Sequence, residues 1–426
     1  MSARRSVKVA IIGFGLEGRS LFFYLKRNPR RARGGRDFEI TILDKNPEVR
    51  IPRGARAVLG KNYLDGLNGF DLIFRSPGVP YNLPGLKGVR KKLLSLTRLF
   101  FERAQGAIVG VTGSAGKTTT ATLLYKMLKR AGRDAYLVGN IGVNSLSVLD
   151  KLSPRSVTVI ELSSFQLQDL SKSPRLAIIL DIYEEHLDKH GSFREYLASK
   201  ANLVRFQRKK DAVLYAAENR FSKKLAMFSP GTKIGVWPED AAGIKTRLLG
   251  EHNLKNVAAA AVAARLLGAP EPAIRRAAAD FRPIADRLEF VRDIRGVKFY
   301  NDSKATNIGS AVAGVDSFRE PKIVLSGGYG KNLSFKPLAR RLARPDVRLS
   351  ILFGKARGDI ARELRKAGRG RFKTAPSLKE AVKLAWREAR SGEVVLLAPA
   401  TASFDEFKNY RERGRAFKRM IKNLKT

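Results

Sequence analysis

The chain has 426 residues, with 82 Lys and Arg against 39 Asp and Glu, three His, no Cys and a formal net charge of +43. An apolar content of 44% supports several folded domains and excludes a disordered polycation. The absence of cysteine excludes disulfides and thiolate metal sites, and no apolar run approaches the roughly 18 to 20 residues that cross a bilayer.

In chain order, short apolar runs alternate with amphipathic stretches, the pattern of an α/β protein. The apolar run after Arg4 and Arg5 breaks at Gly13, Gly15 and Glu17, so it is a buried first strand rather than a leader. Strands are expected at 7–12, 39–43 and 72–74, with a helix at 20–26, making a Rossmann-like domain over 1–103. A strand at 107–112, a helix at 117–131, strands at 135–138, 156–161 and 176–180, and helices at 253–267 and 271–279 make a central P-loop domain over 104–286, with 281–283 as linker. A third Rossmann-like α/β domain, 287–426, has strands at 297–300, 322–326, 348–353 and 394–398 and helices at 377–390 and 410–423. Ser377 with Glu380 predicts a capping box on the first of those helices.

The basic excess is distributed: 22 basic against 8 acidic residues in 1–103, 27 against 17 in 104–286 and 33 against 14 in 287–426. It is a property of the solvated surface and a source of steering for anions. Only 411–425 has the density of a nucleic-acid stripe. The expectation is a cytoplasmic monomer without a membrane or a specific nucleic-acid partner.

Four segments carry chemistry. Gly110 to Thr119 follows a strand and opens a helix, the context of a phosphate loop. There the N–H groups from Gly113, Ser114 and Gly116 to Thr119 surround phosphate oxygens, Lys117 reaches the β- and γ-phosphates, and the Thr118 hydroxyl can ligate Mg²⁺. Gly13, Gly15 and Gly18 have dinucleotide-loop spacing, with Asp44 at the end of the next strand. That pattern fits NAD, another nucleotide diphosphate or a plain tight turn. Asp181, Glu184, Glu185, His186 and Asp188 form the one acidic patch. With Glu161 and Thr118 they offer the hard oxygen ligands and imidazole suited to Mg²⁺ or Mn²⁺. Asn301 to Asn307 after a strand is either an Asx-turn and helix cap or a binding loop. Gly327 to Lys331 and Ser403 to Tyr410 are each open to a turn, helix-start or ligand-contacting reading.

Together these residues resemble the Mur ligase family over all three expected domains. The resemblance rests on Gly113 to Thr119, Glu161-Leu-Ser-Ser-Phe-Gln-Leu167, Glu185-His-Leu-Asp188, His252-Asn253 with Asn256, Asn301 to Asn307, Ser403 to Tyr410 and the Ser76-Pro-Gly turn. The Glu161 and Asn301 segments point to the D-glutamate-adding branch. That resemblance implies ATP-dependent amide synthesis from UDP-MurNAc-L-Ala and D-Glu through an acyl phosphate, with closure of the domains over the reaction. It assigns Thr118, Glu161, His186 and Lys200 to two Mg²⁺ ions, with Lys200 carrying a carbamate. It assigns Asn253, Asn256, Arg287 and Asp302 to ATP, and Arg287 also to the transferring phosphoryl group. Gly15, Leu16, Asp44, Ser76, Asn140 and Ser163 fall to the UDP-muramoyl substrate, and Lys304, Thr306, Lys331, Ser403 and Tyr410 to the amino acid. Three positions depart from the family pattern: Asp286 stands before Arg287 in place of His, Glu185 in place of Asp, and Tyr329 where Asp is frequent. Two alternatives are a ligase of the same family for another amino acid, including a folylpolyglutamate synthase type, and a basic P-loop ATPase that binds nucleic acid.

Overall fold

The computed structural model describes residues 6–28, 37–184, 190–330, 333–368 and 371–424. His186 and Lys331, with Glu185 and Asp188, lie outside the described residues.

Three sheets organise the chain. In the first, β1 (Val7–Ile12), β2 (Phe38–Asp44), β3 (Arg56–Leu59), β4 (Leu72–Arg75) and β5 (Leu93–Leu94) pair in the order β3-β2-β1-β4-β5, all parallel. β1 lies between β2 and β4, so the chain leaves it in opposite directions and a crevice opens at the carboxyl ends of β1 and β4. Helix α1 (Leu16–Arg27) begins four residues before the expected start because Gly15 already takes the extended backbone of a cap. Gly18 must lack a side chain: a Cβ there would collide with the Gly13 carbonyl.

The second sheet contains β6 (Ala107–Thr112), β7 (Ala135–Gly139), β8 (Val157–Glu161), β9 (Leu176–Ile179), β10 (Ala212–Ala216) and β11 (Thr232–Val236), in the order β11-β10-β9-β6-β8-β7 and parallel throughout. β8 and β9 are buried along their whole length, which explains their near-continuous apolar sequences. Around the two sheets run α2 (Leu96–Arg103), α3 (Lys117–Arg130), α4 (Ser164–Leu167), α5 (Phe193–Arg205), α6 (Arg220–Ala226), α7 (Glu251–Leu266) and α8 (Glu271–Asp280). One buried cluster joins Ile11, Phe22 and Phe100 of the first sheet's layer with Ile160, Leu167 and Leu203 of the second's.

The third sheet is β12 (Glu289–Ile294), β13 (Val297–Asn301), β14 (Lys322–Gly327), β15 (Val347–Phe353), β16 (Phe372–Ala375) and β17 (Val394–Ala400), ordered β12-β13-β17-β14-β15-β16. Only the β12–β13 hairpin is antiparallel. Helices α9 (Ile308–Asp316), α10 (Lys336–Leu342), α11 (Arg357–Lys366), α12 (Leu378–Glu388) and α13 (Tyr410–Lys422) cover both faces. By compactness the chain forms two units, 1–242 with 256–277, and 243–255 with 278–426, and the division falls inside α7.

The mixed α/β class with parallel sheets is as expected. Strands β3, β5, β10, β11, β12 and β16 are additional, and several are short or half-exposed, so a neighbouring strand rather than their own pattern makes them extended. The expected capping box at Ser377 forms only in half. Ser377 accepts the Glu380 N–H at 3.3 Å, but the Glu380 carboxylate accepts from Lys383 at 3.0 Å. Among the described residues no helix is long and apolar enough to cross a membrane.

Candidate active site

In the first unit, β6 ends at Thr112 and α3 starts at Lys117, leaving a four-residue loop between a buried strand and a helix N-terminus. Gly116 has φ +79°, and a side chain there would run into Asn256 Oδ1; Asn256 also receives the Thr120 hydroxyl at 3.3 Å. Ser114 ties the loop to the end of β9: its N–H donates to Asp181 O at 2.8 Å, and its Oγ accepts the Tyr183 N–H at 2.9 Å. The Tyr196 hydroxyl lies 2.7 Å from the same Oγ. Lys117 Nζ donates to the carbonyls of Gly113 (2.7 Å) and Ser114 (3.0 Å), which holds the ammonium over the loop. Thr118 and Thr119 are buried in the first turn of α3. The result is a cup of N–H groups and one cation, suited to phosphate oxygens.

Glu161 ends β8, which lies between β6 and β7, and is 1% exposed. Its Oε1 accepts from Asn140 Nδ2 at 3.2 Å, while Oε2 is buried and has no hydrogen-bond partner. A desolvated carboxylate oxygen without a donor is unfavourable alone and becomes favourable beside a cation. The donor set therefore fits a hard divalent ion. Lys200, also 1% exposed, donates to Gly113 O at 3.1 Å and Thr112 Oγ1 at 3.3 Å, and lies 4.7 Å from the Tyr196 ring centre. Among the described residues no three His, Asp or Glu side chains gather as a metal cluster. Ser163 caps α4 in a full capping box with Gln166. His190, fully buried, is stacked on Phe165 and lies 2.9 Å from Ser164 Oγ.

The first glycine loop is built from both flanking strands. Ser76 Oγ donates to Gly13 O at 2.6 Å, and the Phe14 N–H donates to Asp44 Oδ2 at 2.7 Å. Asp44 Oδ1 accepts the Asn46 N–H at 2.9 Å, so the acid at the end of β2 shapes the loop. Gly15 is exposed and Leu16 stands 89% exposed at the tip, while Glu17 turns inward to accept from Gln166 Nε2 at 2.9 Å.

In the second unit Asp286 and Leu288 have φ of 65° and 42°, so Arg287 sits on a strained turn of two non-glycine residues. Asp286 accepts from Asn301 Nδ2 at 2.9 Å, and its backbone carbonyl takes the Lys304 N–H at 3.0 Å. Asp302 accepts the Leu288 N–H at 3.3 Å; burial pushes its carboxyl up to about 7 against the opposing charge of Arg287. Burial, then the Arg287 charge, pushes His252 down to about 4. Asn253 donates to Leu249 O at 2.7 Å. The Asx-turn and helix-cap reading of 301–307 holds: Asn301 makes an Asx-turn to the Ser303 N–H, and Asn307 caps α9 through the Ser310 N–H. The Thr306 N–H donates to Lys304 O, and Lys304 Nζ lies 5.5 Å from the Tyr410 ring centre. Ser403 is buried and its carbonyl accepts the Phe407 N–H at 2.8 Å.

Sequence reasoning missed Arg413. It is fully buried, and burial lowers its pKa to about 10. Its guanidinium donates to Ser303 Oγ (3.0 Å), Ser303 O (2.9 Å), Thr401 O (3.0 Å) and Ala402 O (3.2 Å), fastening the 301–307 and 401–403 loops together. Nothing local marks it among the arginines of α13. Tyr196 was also missed, although its place four residues before Lys200 on α5 puts the two on one face.

A phosphate loop at the carboxyl end of a parallel sheet, beside a buried carboxylate that lacks a donor, defines a nucleotide-handling α/β enzyme. The chain belongs to the Mur ligase family. Residues 111–237 match the Mur ligase middle domain and residues 286–401 the Mur ligase glutamate ligase domain. It is 36% identical to the UDP-N-acetylmuramoylalanine–D-glutamate ligase of Acetivibrio thermocellus, over 99% of this chain and 97% of that one. It is 38% identical to the enzyme of the same name from Geobacillus kaustophilus, over 90% and 91%. In fold it is similar to MurF from Acinetobacter baumannii (TM-score 0.62, 17% identity, 97% of this chain and 93% of that one). It is also similar to a pseudomurein peptide ligase type C from Methanothermus fervidus (TM-score 0.59, 17% identity, 99% and 100%).

Proposed function

We propose that the chain adds D-glutamate to UDP-N-acetylmuramoyl-L-alanine in an ATP-dependent ligation of peptidoglycan precursor synthesis, acting as a cytoplasmic monomer of three domains, 1–103, 104–286 and 287–426. The observation that carries the substrate assignment is the near-full-length identity with D-glutamate ligases. The site supports the chemistry. A substrate carboxylate oxygen attacks the γ-phosphorus of ATP, the bond to ADP breaks, and an acyl phosphate forms. The D-glutamate amine then attacks the carbonyl, phosphate leaves, and the amine proton is lost as the amide forms.

Lys117 and the N–H groups of Gly113, Gly116, Thr118 and Thr119 hold the phosphates and offset charge on the transferring group, while Ser114, its N–H bonded to Asp181 O, fixes the shape of the loop. Thr118 and Glu161 would hold one Mg²⁺, or Mn²⁺ in its place; His186 and a carbamate on Lys200 would hold a second. The bound ions supply neutralisation of phosphate charge. A carbamate on Lys200 would replace an ammonium, which repels a cation, by a group that attracts one; the unmodified Nζ donates to Gly113 O and Thr112 Oγ1. Asn140 orients Glu161. Gly15, Leu16, Asp44 and Ser76 serve the uridine diphosphate end, and Ser163 the muramoyl part. Asn253, Asn256, Arg287 and Asp302 are the residues that the family resemblance assigns to ATP. Lys304, Thr306, Lys331, Ser403 and Tyr410 serve the amino acid.

Phosphate release from ATP, measured over a panel of amino acids, tests the reading. Release should require both UDP-MurNAc-L-Ala and D-glutamate. Release sustained by a diamino acid, or by a nucleic acid without the nucleotide sugar, overturns it.

A further inference from the structure

Glu17 occupies the first turn of α1, where an acid commonly faces solvent and complements the helix dipole. Here it does not. Its Oε1 accepts from Gln166 Nε2 at 2.9 Å, and its Oε2 is buried. Gln166 is itself 4% exposed, and its Oε1 accepts both the Ser163 N–H (3.0 Å) and the Ser163 hydroxyl (3.1 Å). One side chain thus joins the glycine loop after β1 to the corner after β8, two residues beyond Glu161.

A second link runs beside it. Arg75, at the end of β4 and 2% exposed, donates to Val79 O (2.6 Å), to Phe165 O (3.2 Å) and to Asp169 Oδ2 (3.3 Å). Between the links lies a cavity of about 10 Å³ lined by Ile11, Glu17, Gly18, Phe74, Arg75 and Ser76, room for about one water. Burial pushes both the Glu17 and the Asp169 carboxyls up, so these contacts are kept against a desolvation cost.

We propose that Glu17 and Gln166, backed by the Arg75–Asp169 pair, form a positioning clamp that registers the nucleotide-sugar loop of the first sheet against the Glu161–Ser163 corner of the second. The inference rests on the proposed function, because it concerns a substrate that spans the two loops. Glu17 is a positioning residue: it fixes where the far end of the nucleotide sugar arrives, and it leaves the local grip of the glycine loop on uridine diphosphate to Gly15, Leu16 and Ser76. A misplacement of about 1 Å in a reacting group can cost about 10²-fold in rate.

The test compares free UDP with the complete substrate in the full-length protein. In Glu17→Ala, the Kd for UDP by calorimetry should stay within about twofold, while kcat/KM for UDP-MurNAc-L-Ala falls at least about tenfold. The exchange Glu17→Gln with Gln166→Glu restores a donor and an acceptor with reversed polarity and should recover most of that loss. Equal losses in UDP affinity and kcat/KM would make Glu17 an ordinary binding or folding residue and overturn the clamp, as would no loss in either. Absence of ligation in the unsubstituted protein refutes the proposed function instead, so the two failures are distinguishable.

Discussion

The loop at 113–116 and the loop at 301–307 both leave the carboxyl end of a strand paired in parallel, but they are made in different ways. The first takes its turn and its cation from neighbours in sequence: β6, two glycines, Lys117 and the first turn of α3, with Lys117 bonded to carbonyls three and four residues back, while Asp181, Tyr183 and Tyr196 tie it to the rest of the unit through Ser114. The second is held by partners a hundred residues away or on a strained turn: Arg413 at Ser303, Asp286 at Asn301, and Asp302 at Leu288. A local device can be read from its own residues, whereas a device built from buried polar contacts depends on which distant side chain fills each vacancy.

Substitutions can break this contrast. The largest effect is expected from Lys117→Ala, which removes the cation of the local device: kcat/KM in the phosphate-release assay should fall at least about 10³-fold with the unfolding transition unchanged. Lys200→Ala and His186→Ala should each abolish ligation, by about 10²-fold or more, with the fold intact. Near-normal turnover in either removes the second-ion assignment.

Arg413→Met tests the other side. It takes four donated hydrogen bonds from the second unit and leaves the Ser303 and Thr401 carbonyls without their donor, while Ser303 Oγ keeps Tyr410 O and Ala402 O keeps the Tyr329 N–H; urea unfolding should show a loss of about 3 kcal/mol. A loss under about 1 kcal/mol would show that the 301–307 loop holds itself and that the contrast is wrong.

The smallest effects concern pH. Asp302 has a folded value near 7 against an ordinary 3.8, so between about pH 4 and 7 the folded chain keeps a proton that the unfolded chain releases. Stability from this group is present at low pH and is lost as pH rises. His252 has a folded value near 4 against 6.5, so its contribution has the opposite sign: it is lost as pH falls from about 6.5 to 4. The two oppose each other. Melting temperatures at pH 5 and pH 7 should therefore diverge in sign, with Asp302→Asn gaining relative stability at the higher pH and His252→Gln at the lower. Parallel profiles would refute the burial-driven shifts.

Much of the fold was legible because buried parallel strands need continuous apolar runs, as in β6, β8, β9 and β17, and helix caps need Ser or Asn at fixed offsets. Strands such as β3 and β5 were not, because they are extended through a neighbour's hydrogen bonds rather than their own alternation. In the site, Glu161 was legible as a strand-end carboxylate and Lys200 came from the resemblance to a family, and only the structure shows that both are buried, one with an oxygen that has no donor.

The charge of the chain gives the same lesson at a single position. Arg413 lies within the basic stretch that most resembles a nucleic-acid stripe, and it is an internal fastener. Sequence by itself determined the α/β class, the phosphate loop and the family, because those depend on periodicity and on contiguous residues. Tertiary structure alone decided that Glu17 turns inward to Gln166, that Arg413 is buried and that Glu161 lacks a donor. Each of those outcomes depends on the desolvation of a polar group by residues far along the chain, and no local pattern encodes that.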